Sequence, residues 1–554
     1  MSISNGAISD MFTLLSKLMD IHQENSFKAK SYASAAFTID KLTIDLSEIP
    51  REQLFSLKGI GESSAKKIIE ILDTGRLSAL DEIVSKTPPG ILEMLQIKGL
   101  GPKKISTIWK EMGIESIGEL LYACNENRLM LYKGFGEKTQ ANVAEAIEYF
   151  LRNQGHFLFA EIETYALHMQ EVFEKQFPSN RFQGTGDFIR QMPTLDELVW
   201  VTDLSMDGLK KFLSENAFEV QEENGTTLRA IGQEKVKLVF HAVPSNQIQR
   251  EAFLKSGSEA FMSTLHEKLM SLEPDLKDEE VFKRLSLPYF PAYLREDPVH
   301  LQKLTATDIS EIIQPDQIKG IIHTHSDWSD GTDTIENMAK ACIAAGYEYL
   351  VISDHSKSAF YANGLNEERI KAQHQYIDEL NAKLAPFRIF KSVESDILND
   401  GALDYSDSIL STFDLVIASV HSNLKMSEEK AMERLIRAIE NPFTTILGHP
   451  TGRLLLSRKG YPIDHKKIID ACIAHKVAIE INAHPRRLDL DWSWVAQAQE
   501  KGALLSINPD AHYIEGFKDT RYGILAAQKG GLRTKNNLSS FGLDEFEKFI
   551  RLKK

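Results

Sequence analysis

Apolar and polar positions follow three different rhythms along the 554 residues, and each predicts a different structure. From residue 1 to about 150, apolar residues recur at helical spacing between G-x-G turns with no two-residue alternation, which predicts short helices. From about 155 to 245 the period becomes that of strands, in LDELVWVTD, AFEVQEENGTTLRAIG and EKVKLVFHAV. Asn224-Gly225 supplies a hairpin turn, so a small antiparallel sheet is predicted. Residues 246 to 315 return to helices and loops, ending in LSLPYFPAYLRED, which reads as a proline-rich tether. From Gln317 onward short apolar runs alternate with helical patterns: KGIIHTH, YLVISDH, FRIFKSVESDI, LVIASVH, TTILGHP, VAIEINA and ALLSINPDAH are the strands. That alternation predicts a parallel sheet, and so many repeats predict a closed or nearly closed β/α barrel.

The barrel pattern also locates chemistry. Every strand but VAIEINA delivers a His, Asp or Glu at or just past its C-terminal end, the side where β/α barrels assemble active sites. The residues are His323, His325, Asp330, His355, Glu394, His421, His449, Asp510 and His512. HxH or DxH on a strand puts both side chains on one face. Nitrogen and carboxylate donors without thiolate suit Mn, Zn or Fe better than Mg, and nine donors suit two or three divalent ions. His374, His465 and His475 fall on helices and are expected to face solvent. Arg453, after the sixth donor strand, is placed to clamp a phosphate or to form a structural ion pair.

In the front part, three turns, LKGIGESSAKKI, IKGLGPKKI and YKGFGEKT, each open a helix. Their glycines, Gly59 and Gly61, Gly99 and Gly101, Gly134 and Gly136, let backbone amides approach a phosphate at a positive helix terminus. Lysines follow two of them, among them Lys67 and Lys103. This matches the helix-hairpin-helix DNA-backbone motif, against the plainer reading of helix corners with capping glycines. Charge does not decide between them. The chain carries a net −15, and residues 1 to 150 hold 17 Lys+Arg against 20 Asp+Glu, so any DNA contact is local rather than a bulk attraction. Cys124, Cys342 and Cys472 are far apart and read as packing residues. The N-terminus lacks a signal-peptide pattern and no long apolar run occurs, so a cytoplasmic location without membrane contact is expected; the pattern leaves the oligomeric state open, with a monomer favoured.

The segments H-T-H-S-D-W-S-D-G, S-D-H-S, E-S-D-I-L, V-H-S, G-H-P-T-G-R and D-A-H resemble the PHP (polymerase and histidinol phosphatase) family, whose reaction is phosphoester hydrolysis. The resemblance implies that His323, His325, Glu394 and Asp510 hold one metal, that Glu394 bridges to a second held by His421 and His449, and that Asp330, His355 and His512 hold a third. With ENSFKAKSYASAA, SGS at Ser256 to Ser258 and EEVFKRLSLPYFPAYLRED, the whole chain resembles bacterial X-family DNA polymerases. That implies a multidomain protein: an all-α helix-hairpin-helix DNA-end domain at 1–80 and a fingers-like helical domain at 81–154. An α+β nucleotidyltransferase-like palm at 155–245, a thumb and linker at 246–316, and a distorted β/α barrel, the PHP domain, at 317–554 complete it. Lys67 falls where related enzymes carry a lyase nucleophile, or is a surface lysine.

The palm departs from the family. Its glycine-serine loop is Gly184-Thr185, its D-x-D positions fall on Leu195 and Glu197, and its third Asp position falls on Lys237. The expectation is a palm without polymerase chemistry and a metal-dependent 3′-5′ exonuclease acting in repair on gapped DNA or accessible 3′ ends. A histidinol-phosphatase-like enzyme, an active gap-filling polymerase and a DNA-binding scaffold are the alternatives.

Overall fold

Side-chain caps and glycines delimit the helices of the first of two units, Met1–Phe150. Ser4 accepts from the Ala7 amide to open Asn5–Ile21, and Asn25 accepts from Phe27 and Lys28 to open Ser26–Asp40. Phe12 meets Tyr32 edge-on at 5.8 Å between these two helices. Further helices follow at Glu62–Thr74, Ser78–Ser85, Pro89–Met94, Pro102–Lys110, Ile117–Asn125 and Glu137–Arg152. The computed structural model describes residues 3–42, 44–152, 155–232 and 234–553, so the expected boundary at 154 lies outside the described residues. No helix among them is long and apolar enough to cross a membrane.

The second unit, Leu151–Lys554, opens with strands and helices of mixed order. β1 (Phe157–Leu158) pairs antiparallel with β3 (Thr194–Leu195). A five-stranded sheet has the order β2-β4-β7-β6-β5, from β2 (Phe182–Thr185), β4 (Glu197–Thr202), β5 (Glu219–Asn224), β6 (Thr227–Ile231) and β7 (Lys237–Ala242). This corrects the expected antiparallel sheet: β4 and β7 run parallel, because the helix Met206–Glu215 and the β5–β6 hairpin intervene before the chain re-enters. The hairpin turn is also one residue later than expected. Asn224 pairs with Thr227, leaving Gly225, at φ +58°, and Thr226 as the loop.

The proline-rich segment is not a tether. Phe290 and Leu294 are fully buried among Phe253, Phe261 and Phe282, and the buried Arg295 guanidinium lies over the Phe253 and Phe282 rings while pairing with Asp278. Aromatic burial overrides the extended tendency of its prolines.

The last seven strands are β8 (Gly320–Thr324), β9 (Tyr349–Ile352), β10 (Arg388–Asp396), β11 (Leu415–Ser419), β12 (Thr444–Leu447), β13 (Ala478–Asn482) and β14 (Leu505–Asn508). They lie in sequence order, all parallel, and a single bridge between Thr324 and Ala511 nearly closes the barrel. Almost every strand residue is buried, as in sheets covered on both faces. Thr334, Asn366, Ser427 and Asp464 each cap the helix that follows their strand. At the other end the final helix, Leu543–Arg551, places Phe546 and Ile550 among Tyr349, Phe390 and Leu415. The C-terminal strand ends are left to form a cup.

Candidate active site and nucleic-acid interface

Glu394, near the end of β10, is the hub of that cup. Its Oε1 lies 3.2 Å from His323 Nε2, 3.1 Å from His421 Nε2 and 3.0 Å from His449 Nε2. Its Oε2 lies 3.0 Å from His355 Nδ1 and 3.7 Å from His325 Nε2. Asp510 Oδ1 is 3.1 Å from His325 Nε2 and 3.5 Å from His323 Nε2. Asp330 faces His512 Nε2 at 3.4 Å and His355 Nε2 at 3.6 Å. The structure thus brings all nine sequence-predicted donors together. Eight of them form three overlapping sets with metal-competent spacing: His325, Asp330, His355 and His512; His323, His325 and Asp510; His355, Glu394 and His421, while His449, outside these sets, approaches Glu394 Oε1. His325 and His355 each belong to two sets, and the grouping differs from the one the resemblance implied: Glu394 falls with His355 and His421 rather than with His323, His325 and Asp510.

The donor atoms fit divalent cations. His323 Nε2, His325 Nδ1, Asp330 Oδ2, His355 Nδ1, Glu394 Oε2 and His449 Nδ1 are buried and make no hydrogen bond. Such groups are rare in folded proteins, and a cation among them satisfies their lone pairs. Electrostatics point the same way. Burial, reinforced by His512 and His355, pushes His325 down to about 3, so its imidazole is neutral as a ligand must be. Burial also opposes charge on His421, yet Glu394 and Asp396 raise it to about 10, so the carboxylates draw in a positive charge that a bound cation would supply in place of the proton. Against the same burial penalty, His421, His323 and His355 hold Glu394 well below the carboxylate range.

Backbone geometry differs from simple alternation. β8 shifts register between Ile321 and Thr324, His323 adopts φ +64°, and His325 lies past the strand. Asp510, at φ +53°, lies past β14, and His449 sits at φ +21°. Left-handed backbone at non-glycine residues is costly and concentrates at functional sites. Each pair therefore reaches the cup through a bend. The loop bearing Asp330 depends on Gly331, where an added Cβ would lie 2.2 Å from the His325 carbonyl oxygen.

A second layer orients these side chains, and the sequence reading passed over it. β13, the strand without a donor, contributes Glu480, whose carboxylate meets His323 Nδ1 at 2.6 Å, Asn508 Nδ2 at 2.8 Å, Asn482 Nδ2 at 2.9 Å and the His449 amide at 3.1 Å. Asp396 holds His421 Nδ1. Asp354 accepts from the Ser326 amide and hydroxyl and from Gln373, shaping the loop that leads to Asp330. The available signal was a carboxylate inside or beside a fully apolar strand, where an acid is almost never buried unpaired.

Of the two readings of Arg453, the structure corrects the phosphate clamp and shows the ion pair: its guanidinium donates to Asp491 and to the carbonyls of Arg487 and Leu488, so it braces a loop rather than facing the cup. Arg487 is the guanidinium at the cup, with Nε 3.8 Å from Asp510 Oδ2. Two helical histidines are not solvated either. His374 packs edge-on to Phe413 at 4.8 Å, and His465 stacks on Trp494 at 4.4 Å.

In the first unit the three hairpins share one geometry. Gly59, Gly99 and Gly134 have φ of +89°, +93° and +96°. The residues after them, Ile60, Leu100 and Phe135, are each 5 % exposed and donate to the carbonyl three residues back at 3.1 Å. Gly61 and Gly101 are helix N-caps, and the Gly136 carbonyl accepts the first bonds of Glu137–Arg152. All six glycines are exposed, and a side chain added at Gly61, Gly101 or Gly136 would meet open space. Lys103 is exposed, and Lys67 is half-buried with its ammonium 5.7 Å from the Tyr32 ring. Sequence reading missed Lys58, Lys98 and Lys133, each exposed and immediately before the first glycine of a turn. The repeated K-G-x-G was the signal.

Comparison with known proteins agrees with both halves. A helix-hairpin-helix domain model matches residues 3–77, a SAM-like helix-hairpin-helix tandem matches 91–148, and a PHP domain model matches 322–484. The DNA polymerase/3′-5′ exonuclease PolX of Bacillus subtilis strain 168 is 33% identical, over 96% of this chain and 97% of its own. A probable phosphatase of Caldanaerobacter subterraneus is 29% identical over 34% of this chain and 74% of its own. The probable phosphatase YcdX of Escherichia coli is 29% identical over 22% of this chain and 52% of its own. Asp510 and His512 lie beyond the residues that the PHP model matches, and the fold returns them to the cup.

Proposed function

The chain belongs to the PolX family of bacterial X-family DNA polymerases, and from that premise we propose that it is a metal-dependent 3′-5′ exonuclease of DNA repair whose palm serves as scaffold. The observation that carries the reading is Glu394, buried at the centre of a cup of six imidazoles, with two further carboxylates at its edge. His323, His325, Glu394 and Asp510 would hold one ion, Glu394, His421 and His449 a second, and Asp330, His355 and His512 a third. Mn or Zn fits this donor set best, with Fe next; Mg prefers all-oxygen shells. Divalent cations bound there supply Lewis acidity for activating water and neutralising phosphoryl oxygens. The chain's own residues do the rest. Glu480 and Asp396 fix the His323 and His421 rings, Arg487 sets a positive charge beside the reacting phosphoester, and the hairpins hold the DNA backbone through exposed amides.

Three features support a palm without polymerase chemistry. Leu195 is buried, Asp196 is bound to His156 Nδ1 at 2.6 Å, and Glu197 pairs in register with Lys237 on β7. Two-metal phosphoryl transfer needs clustered acids, and an ammonium beside Glu197 opposes that charge. A small-molecule phosphatase is the second reading, favoured by the relatives named probable phosphatases.

Metal-depleted protein refilled with Mn, Zn or Mg, offered 5′-labelled gapped DNA and histidinol phosphate side by side, tests both. Stepwise shortening from 3′ ends with Mn or Zn, lost in His325→Ala, is the expected result. Phosphate release from histidinol phosphate with DNA left intact would overturn it in favour of the second reading.

A further inference from the structure

An ion pair joins the palm to the loop at the edge of the metal cup. Residues 484–491 follow β13 as a loop whose backbone is braced from the barrel side. Arg453 donates to the Arg487 and Leu488 carbonyls, Leu455 N donates to the Arg486 carbonyl at 2.6 Å, and Asp489 accepts from the Thr451 amide and hydroxyl at 2.9 Å. Two adjacent side chains leave this loop in different directions. Arg487 approaches Asp510, while Arg486 Nη2 donates at 2.8 Å to Glu161 Oε1 on the palm helix Phe159–Gln176. The two arginine side chains are only 6 % and 8 % exposed, so neither is an ordinary solvated surface cation. Glu161 is itself held: its other oxygen accepts from the Leu158 amide at 3.0 Å.

Other palm-to-barrel contacts among the described residues go elsewhere. Glu163 takes both terminal nitrogens of Arg521, at 2.6 and 2.5 Å, and Glu296 joins Arg190 to Lys529. Tyr522 and Leu525 pack against the palm core. These fasten the helix Thr520–Lys529 and involve no residue of the loop.

We propose that Glu161 is a positioning residue for the phosphoesterase site: by holding Arg486, the palm carboxylate sets the neighbouring Arg487 against Asp510, where it meets an anionic phosphoester. The proposal rests on the phosphoesterase reading above. It gives a palm without synthesis chemistry a part in hydrolysis, because removing Glu161 takes from the nearly buried Arg486 the carboxylate that receives its Nη2, and the loop that carries Arg486 shifts in response. Arg487, one residue away, shifts with it.

Full-length Glu161→Gln and Glu163→Gln separate this from simple domain docking. Glutamine at 161 keeps an acceptor for the Leu158 amide, so the helix start survives, but it loses the charge that binds Arg486. A charge-assisted hydrogen bond is worth about tenfold or more. With bis(p-nitrophenyl) phosphate and metal-loaded protein, Glu161→Gln is expected to raise KM about tenfold with kcat within about twofold and metal content unchanged, the pattern of lost ground-state binding. Glu163→Gln is expected to leave KM unchanged. Hydrogen exchange over 484–491 in the protein as purified is expected to quicken in Glu161→Gln alone. Unchanged KM and exchange, or equal changes in both variants, would overturn the proposal. Should the unmutated protein hydrolyse no phosphodiester, the phosphoesterase reading itself fails, and the exchange comparison still decides whether Glu161 holds the loop.

Discussion

Glu480→Gln is the substitution that most directly probes how the cup is held. Glu480 is fully buried and receives four donors, two at each oxygen: Asn482 and the His449 amide at Oε1, His323 and Asn508 at Oε2. Glutamine is isosteric but replaces one oxygen with an NH2, which must then face two donors. The neighbours cannot simply rotate to accept. Asn508 Oδ1 already accepts from Ser506, and Asn482 donates to Asp510 while its oxygen accepts from the His484 amide. Two buried donors without acceptors cost about 2–6 kcal/mol together. If the NH2 faces His323, the ring also loses the bond that presents Nε2 to the cup, and loss of such a partner lowers metal affinity about 10- to 100-fold. Competition with a fluorescent chelator, alongside thermal unfolding by circular dichroism, measures both quantities. The expected result is weaker metal binding together with a lower Tm for the second unit. Wild-type affinity, even with a lowered Tm, would refute the claim that Glu480 orients a metal ligand.

The hairpins offer a clean separation of folding from binding. Gly61→Ile and Gly101→Ile, at positions with open space and ordinary φ, are expected to preserve the helices and weaken DNA binding at least severalfold in a fluorescence-anisotropy titration, whereas loss of helicity with binding would mark these glycines as folding elements. In a His325→Ala background, where degradation cannot erase product, no primer extension is expected on gapped template with Mg or Mn; extension would show that palm carboxylates hold catalytic metals. Burial, against the pull of Glu296, lowers Lys529 from 10.5 to about 8, so between those values the unfolded chain binds the extra proton and stability rises with pH, by up to about 3 kcal/mol. Glu296, held low, registers the same contact as favourable, but Arg190 donates to it through Nε and Nη2, so Lys529→Met leaves it paired. The gain on moving from pH 7.5 to 9.5 in urea titrations is expected to be smaller in Lys529→Met than in wild type, and identical gains would remove the assignment.

Much of the site was legible because barrel topology converts strand order into convergence. His323, His355, Glu394, His421 and His449 could be placed on one rim once the seven apolar runs were read as parallel strands, since all their C-terminal ends must share a side. The helical hairpins were legible for a similar local reason: left-handed φ at Gly59, Gly99 and Gly134 is a demand the chain meets with glycine, and it leaves a visible repeat. What the sequence hid depends on distance along the chain. Glu480 meets a histidine 157 residues away and Glu161 an arginine 325 residues away, and no spacing rule reaches so far. Arg453 stayed open between a phosphate clamp and an ion pair because motif position says where a backbone passes and not where a five-donor side chain finds acceptors. The mixed direction of the five-stranded sheet was missed because propensity reports that a segment is a strand and leaves its direction to the helix and hairpin between. The sequence alone therefore determined the elements, the donor inventory and the rim on which it gathers. Tertiary structure decided which atoms face one another, because hydrogen bonds and ion pairs act over about 3 Å while sequence patterns report only which face a residue occupies.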